Sequence, residues 1–308
     1  MNDERPQTFE LLDPGSLARI AHLEIVARKV VEGTVSGLHR SPLHGFSTDF
    51  LQHRPYSTGD DLRYLDWKIF GRTDRHYVRQ FEEETNLRAT IFVDASGSMD
   101  YGDEGAKDEH RVSKLHYAVR MAAALAYLLV GQQDEVGLVI FDDTVRKIFS
   151  PRSGRRQLQL ILDALGNVEV GGETSLSVVL QEMLPRLPRR GLLIFLSDAF
   201  DEAQSFVNAL ARVHSAHNEV VLMQILDRAE IEFPFHTWTR FENLESDDES
   251  IGLDPAQIRA TYLDRFNEFQ EALEDGCRRH GIETVRMVSD QPYHESLAKY
   301  LFKRGRKS

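Results

Sequence analysis

The stretch that decides the fold is "ATIFVDASGSMDYG", Ala89 to Gly102. An apolar run of strand length ends in an aspartate, and two serines follow it at two-residue steps. Short apolar runs bounded by turn residues read as buried strands. Four more runs share this texture: "EVGLVIFD", "GLLIFLSD", "EVVLMQILD" and "ETVRMVSD", starting at Glu135, Gly191, Glu219 and Glu283. Helical periodicity fills the intervals, over Arg111–Val130, Gly154–Leu165, Ser175–Leu187, Glu202–Ser215, Pro255–His280 and Tyr293–Phe302. Such alternation predicts a doubly wound, mainly parallel α/β sheet with helices on both faces. Near-continuous apolar strands fit that burial. "VIFDDTVRKIFS" breaks the pattern: it reads as a hairpin turning at Asp142–Thr144, which adds one antiparallel edge strand.

Upstream of Leu87 the texture is different. Leu17, Ile20, Leu23, Val26, Val30 and Val31 recur at helical spacing within Ser16–Gly37, with Ser16 placed to cap the helix. The following segment is dense in Gly, Asp, Arg and aromatics. It reads as compact loops, a short helix near Asp61–Phe70 and a strand near Tyr77–Glu82. Asp60 or Asp61 is placed to cap that helix, and Arg63, Arg72 and Arg79 to pair with Asp66, Asp74 and Glu82–Glu84. The expected organisation is an N-terminal helical and loop extension over residues 1–86, then an α/β domain over 87–308.

Composition narrows the function. Of 308 residues, 41% are hydrophobic and 28% charged, which is ordinary for a soluble domain with a sizeable core. One cysteine, Cys277, excludes an internal disulfide and a cysteine-built zinc or iron–sulfur site. A net charge of −12 argues against broad nucleic-acid or anionic-membrane binding. The N-terminal "MNDERPQTFELLDPGS" has no signal pattern, and "MAAALAYLLVG" from Met121 is about half the ~20 residues that span a bilayer. A cytoplasmic location is therefore expected. Phosphate loops, dinucleotide fingerprints, nucleophile elbows and paired metal-hydrolase histidines are all missing from the sequence. His39, His44, His53 and His76 fall at irregular intervals and read as surface or core histidines.

Aspartate ends each of the five apolar runs: Asp94, Asp142, Asp198, Asp227 and Asp290. In an open α/β sheet the ligand crevice lies beyond the carboxyl ends of the strands, so one edge is crowned with carboxylates. Helix capping and turn formation account for Asp142, Asp227 and Asp290. Asp94 is different, because Ser96 and Ser98 add two hydroxyls on the same turn. Such a set of hard oxygens suits Mg²⁺ or Mn²⁺. Two further donors come from other strand ends: Thr174, after the Gly171–Gly172 pair and before a helix, and Asp198. Capping alone would explain Asp94 or Thr174 taken singly. The metal reading requires the five donors to converge, with no lysine between the two acids.

This D-x-S-x-S run, the Gly-Gly-x-Thr segment and the strand-terminal Asp resemble the von Willebrand factor A domain. The resemblance implies a metal-ion-dependent adhesion site formed by Asp94, Ser96, Ser98, Thr174 and Asp198. It also implies a partner protein that offers a carboxylate to the cation. One departure is local: Ala199 stands where that family often has glycine.

A second signature lies upstream, in "YSTGDDLRYLDWKIFGRTDRHYVRQFEEE". Gly59, Asp60, Asp61, Arg63, Asp66 and Trp67, then Tyr77, Val78, Arg79, Phe81 and Glu82 to Glu84, resemble the bacterial family called domain of unknown function fifty-eight. That likeness implies a companion of MoxR-type AAA+ ATPases, acting in maturation or assembly of other proteins. The expected activity is non-enzymatic, metal-dependent protein interaction. The alternatives are a metal-dependent hydrolase that activates water at the acidic crown, and a scaffold whose metal site is unused.

Overall fold

The computed structural model describes residues 50–57, 65–81, 87–102, 112–172, 175–187, 190–242 and 250–305. The expected helix at Ser16–Gly37, the residues Asp60, Asp61, Arg63 and Glu82–Glu84, and Thr174 lie outside the described residues. The chain divides into two compact units, one containing Leu87–Ser308 and the other Val35–Asn86.

In the smaller unit, β1 (Phe50–Pro55) pairs antiparallel with β2 (Tyr77–Phe81), and helix α1 (Trp67–Thr73) lies between them in sequence. The helix starts later than the expected Asp61, because Asp66 is its cap: one carboxylate oxygen accepts from Lys68 N and Ile69 N. The other meets His53 Nε2 at 3.0 Å. Leu65 is buried and bridges to Val78, whereas Trp67 is 63% exposed, its ring edge-on to Phe70. His76 packs on Phe70.

The larger unit is a six-stranded sheet in the order β10-β7-β6-β3-β4-β5. Its strands are β3 (Arg88–Asp94), β4 (Glu135–Phe141), β5 (Val145–Arg152), β6 (Leu192–Ser197), β7 (Glu219–Leu226) and β10 (Glu283–Val288). All neighbours are parallel except β4 and β5, the expected antiparallel edge hairpin. Among the helices are α2 (Lys114–Gly131), α3 (Arg155–Leu165), α4 (Leu176–Met183), α5 (Ala203–Ser215), α6 (Arg228–Glu232), α7 (Pro255–Arg279) and α8 (Tyr293–Gly305). The fold is the doubly wound α/β class that the alternation predicts.

Side chains alternate between the sheet's faces along each strand. Phe92, Val139, Phe195 and Leu222 join Leu180, Phe206, Leu210, Leu273 and Cys277 in one buried cluster, beneath α4, α5 and α7. Phe92 and Phe195, neighbours across β3 and β6, stack at 4.4 Å. Helix α2 packs against β3, β4, β6 and β7 and also meets α8. Its "MAAALA" run explains how it sits so close: Ala122, Ala123, Ala124 and Ala126 are all fully buried, and none has a side chain long enough to hold the helix off the sheet. Along α7, Phe266 and Leu273 are buried, and Phe266 and Phe269 pack near Phe200, so this face is core. A small hairpin of β8 (Thr239–Glu242) and β9 (Ser250–Leu253) was not expected. Its strands are four residues long and show no apolar run.

No helix among the described residues is long and apolar enough to cross a membrane.

A carboxylate edge at the switch point of the sheet

Strand order reverses at β3. The chain leaves it for β4 on one side and later returns to its other side as β6. The crevice between the ends of β3 and β6 is therefore the topological switch point, where open α/β sheets take ligands. Asp94 is the last residue of β3, and Asp198 follows the last residue of β6. Both are fully buried.

Asp94 Oδ1 accepts from Ser96 N at 3.0 Å, the turn that reverses the chain at the strand end. Oδ2 accepts from Ser197 Oγ at 2.6 Å. Beyond the turn, the Ser96 and Ser98 hydroxyl oxygens stand 3.2 Å apart, as a short 3₁₀ helix (Gly97–Asp100) begins. The Gly171–Gly172 segment is held to this turn by two backbone bonds, Gly171 N to Ala95 O at 2.7 Å and Gly97 N to Gly172 O at 2.8 Å. That explains Gly171, where an added Cβ would meet Arg146 and Asp142, while a Cβ at Gly172 would meet open space.

Asp198 has a different set of partners. Its Oδ1 accepts from Phe200 N at 3.1 Å, and its Oδ2 accepts from Lys114 Nζ at 2.7 Å. The same ammonium donates to Glu230 Oε1 at 2.6 Å, and Lys114 is wholly buried. It lies above the Phe200 ring, 4.8 Å from the centroid. Burial pulls the Lys114 ammonium towards neutrality, but Asp198 and then Glu230 outweigh it and hold it charged above the usual lysine range. For Asp94 the neutral form gains: burial, with the Asp198 charge adding to it, pushes its carboxyl up to about 7 against the pull of Ser197 and Ser96.

Ala199, at the position where glycine was expected, adopts φ 59°, the left-handed region. Its N–H donates to Ser197 Oγ at 2.9 Å. The Asp198 loop therefore keeps a glycine-like backbone although Ala199 carries a Cβ.

The other strand-terminal acids have structural roles. Asp142 accepts from Thr144 N and from Arg146 Nε, closing the β4–β5 hairpin. Asp227 caps α6 and forms a capping box with Glu230, while its second oxygen accepts from Ser289 Oγ at 3.0 Å. Asp290 pairs with Arg228.

Residues 52–289 match the family described as "Protein of unknown function DUF58". This chain belongs to that family. It is 27% identical over 225 residues to the uncharacterized protein Rv1480 of Mycobacterium tuberculosis, an alignment covering 72% of this chain and 68% of that one. The uncharacterized protein Mb1516 of Mycobacterium bovis matches to the same extent. Among solved structures, the conserved hypothetical protein BatB of Bacteroides thetaiotaomicron aligns at 14% identity, covering 72% of this chain and 100% of that one, with a TM-score of 0.46. The SpRpn10 VWA domain aligns at 12% identity over 68% of this chain and 94% of its own, with a TM-score of 0.39.

In this DUF58 protein the structure thus brings Asp94, Ser96 and Ser98 onto one turn and places Asp198 at the neighbouring strand end. Three contributors were missed from the sequence: Ser197, Lys114 and Glu230. Ser197 sits in plain view before Asp198. Glu230 was readable as the third residue after Asp227, the capping-box interval. Lys114 carried no signal, since a lysine at a helix start is ordinarily solvated.

The donor chemistry fits a small hard cation at Asp94, Ser96 and Ser98. Oxygens adjacent around Mg²⁺, bound at ~2.1 Å, stand about 3 Å apart, close to the separation of the two serine hydroxyls. Lys114 pairs with Asp198 and Glu230, two carboxylates to one ammonium, and Asp94 has no ion pair with it. The lysine stands between Asp198 and Glu230, while both Asp94 oxygens take other donors.

Proposed function

We propose that this DUF58 protein is a non-enzymatic interaction module that engages a partner protein at the carboxyl edge of its sheet. In this reading Asp94, Ser96 and Ser98 hold Mg²⁺ or Mn²⁺. Asp198 supplies charge beside them, and Thr174 belongs to the same set by the sequence motif. The bound cation would supply a Lewis-acidic position for a partner carboxylate. The residues themselves orient the donors: Ser197 fixes the Asp94 carboxylate, and the Gly171–Gly172 segment braces the serine turn.

The observation that carries this reading is that one turn at the switch point holds a fully buried carboxyl, Asp94, and two hydroxyls at ligand spacing. Family likeness adds a MoxR-type AAA+ ATPase as the expected partner, which would supply the energy while this chain supplies recognition.

Calorimetric titration with Mn²⁺ tests the site. One ion per chain is expected, lost in Asp94→Ala with the circular dichroism spectrum retained. Absence of binding sinks the metal reading. The partnership is tested by retention of a purified MoxR-type ATPase on the immobilised chain. Release by chelator is expected, and retention unchanged by chelator would leave an interaction module without a metal.

A further inference from the structure

Lys114 is an expensive residue where it stands. A fully buried ammonium loses its hydration, and the first turn of a helix disfavours positive charge. Lys114 is both: wholly buried, and the first residue of α2 behind its Ser113 cap. Two carboxylates compensate it, Asp198 Oδ2 at 2.7 Å and Glu230 Oε1 at 2.6 Å. Phe200 and Tyr101 present ring faces to the ammonium at 4.8 and 5.9 Å. Glu230 is itself anchored, its second oxygen accepting from Asp227 N at 2.7 Å, and the α6 backbone at Glu230 accepts from Tyr262 on α7. The lysine thus joins the switch point to the capping box of α6.

Asp198 is where the two roles collide. One of its oxygens is committed to Phe200 N–H and the other to the ammonium. A divalent ion on the Asp94 turn that recruits Asp198 must share that carboxylate with a second positive charge, and the two cations repel at such range. We propose that Lys114 is an internal cation that competes with the divalent ion for Asp198, and that Glu230 decides the contest by sharing the ammonium with Asp198. This rests on the metal reading given above. In the native chain, Lys114 keeps the site weak. Any partner or change that draws the ammonium wholly onto Glu230 strengthens it.

The experiment is calorimetric titration of Mn²⁺ and Mg²⁺, with thermal unfolding in the presence and absence of the ions as a second readout. The variants are Lys114→Met/Glu230→Met and Glu230→Gln. The double variant removes one charge of each sign, so the net charge is kept while Asp198 loses the ammonium and is left to the divalent ion. Glu230→Gln keeps an acceptor for Asp227 N–H but leaves the ammonium to Asp198 alone. The double variant is expected to bind Mn²⁺ at least about tenfold more tightly than the native chain, and Glu230→Gln about tenfold more weakly, each equivalent to ~1.4 kcal/mol. If the double variant does not fold, the opposite shift in Glu230→Gln decides alone. Native binding that is lost in Asp94→Ala but unchanged in both Lys114 and Glu230 variants overturns this inference and leaves the metal reading intact. Absence of binding in every variant overturns both.

Discussion

Ser197 Oγ donates to Asp94 Oδ2 at 2.6 Å, tying the last residue of β6 to the last residue of β3 across the switch point. The same hydroxyl oxygen accepts from Ala199 N, so one side chain holds both the Asp94 carboxylate and the loop that carries Asp198. A neutral donor to a buried carboxylate is among the stronger hydrogen bonds, with a net worth of about 1.5–3 kcal/mol. Ser197→Ala is expected to lower unfolding stability by that amount in urea titration. It should also raise the Asp94 carboxyl further, because the Ser197 bond is one of the influences opposing burial. Carbonyl NMR of Asp94 across pH reads this directly, and an unshifted titration would show that the bond does not hold the carboxylate.

At the opposite end of the sheet, Asp134 Oδ1 accepts from Leu87 N at 3.0 Å, while Oδ2 is buried with no hydrogen-bond partner among the described residues. Burial pushes this carboxyl up to about 7, the Leu87 bond opposing it. In the unfolded chain the group titrates near 3.8. The native state therefore keeps a proton that the unfolded state has lost. Stability from this group is complete below about pH 4 and is lost as pH rises through about 7. Each such group contributes a slope of at most ~1.4 kcal/mol per pH unit. Asp94 has the same sign when no cation is bound. Denaturation midpoints measured from about pH 5 to pH 8 are expected to fall in the native chain and to fall less steeply in Asp134→Asn. Parallel curves would place the pH dependence elsewhere.

How legible this was from sequence depends on the range of the interaction. The five apolar runs fixed strand identity because both faces of the sheet are covered, and the Asp142–Thr144 turn fixed the antiparallel edge. The aspartate-plus-serines turn was legible because its contacts span two residues, as in Ser96 N to Asp94. Asp142 and Asp227 were rightly read as local, a turn and a cap. Lys114 was not legible: its partners lie 84 and 116 residues away, and its burial contradicts what a lysine at a helix start suggests. Asp66 caps α1, which starts at Trp67, six residues later than the expected Asp61. A run containing several aspartates offers several equivalent caps, and propensity alone does not choose among them.

Gly137, in the middle of β4, shows what the edge hairpin demands. A Cβ there would stand 2.7 Å from Phe149 O and 3.0 Å from Pro151 N, both backbone atoms of β5. The β4–β5 register shifts between Val136 and Leu138, so Gly137 stands at an irregularity in the pairing. Backbone atoms cannot swing aside as a flexible side chain does. Gly137→Ala is expected to cost about 1–3 kcal/mol, in the range of overpacked cores. For a unit of this size each kcal/mol lowers the melting temperature by roughly 2–4 °C. An unchanged Tm would mean that β5 detaches from the sheet at little cost.

Gly171 makes a similar demand, but part of the obstacle is mobile. Its Cβ would collide with the Arg146 guanidinium and with Asp142 Oδ2, while its N–H is committed to Ala95 O at 2.7 Å. Arg146 is partly exposed and tethered by Asp142 and by Glu169 O at 2.8 Å, so it can be displaced. Gly171→Ala is therefore expected to destabilise the chain by about 1–2 kcal/mol and to weaken Mn²⁺ binding by loosening the brace on the Ser96–Ser98 turn. Placed in an Arg146→Ala background, the same substitution no longer meets the guanidinium and should cost less. The coupling between the two is expected to exceed about 0.5 kcal/mol, the threshold for residues in contact. Strict additivity would show that Gly171 is required for its backbone path alone and not for the space that Arg146 fills.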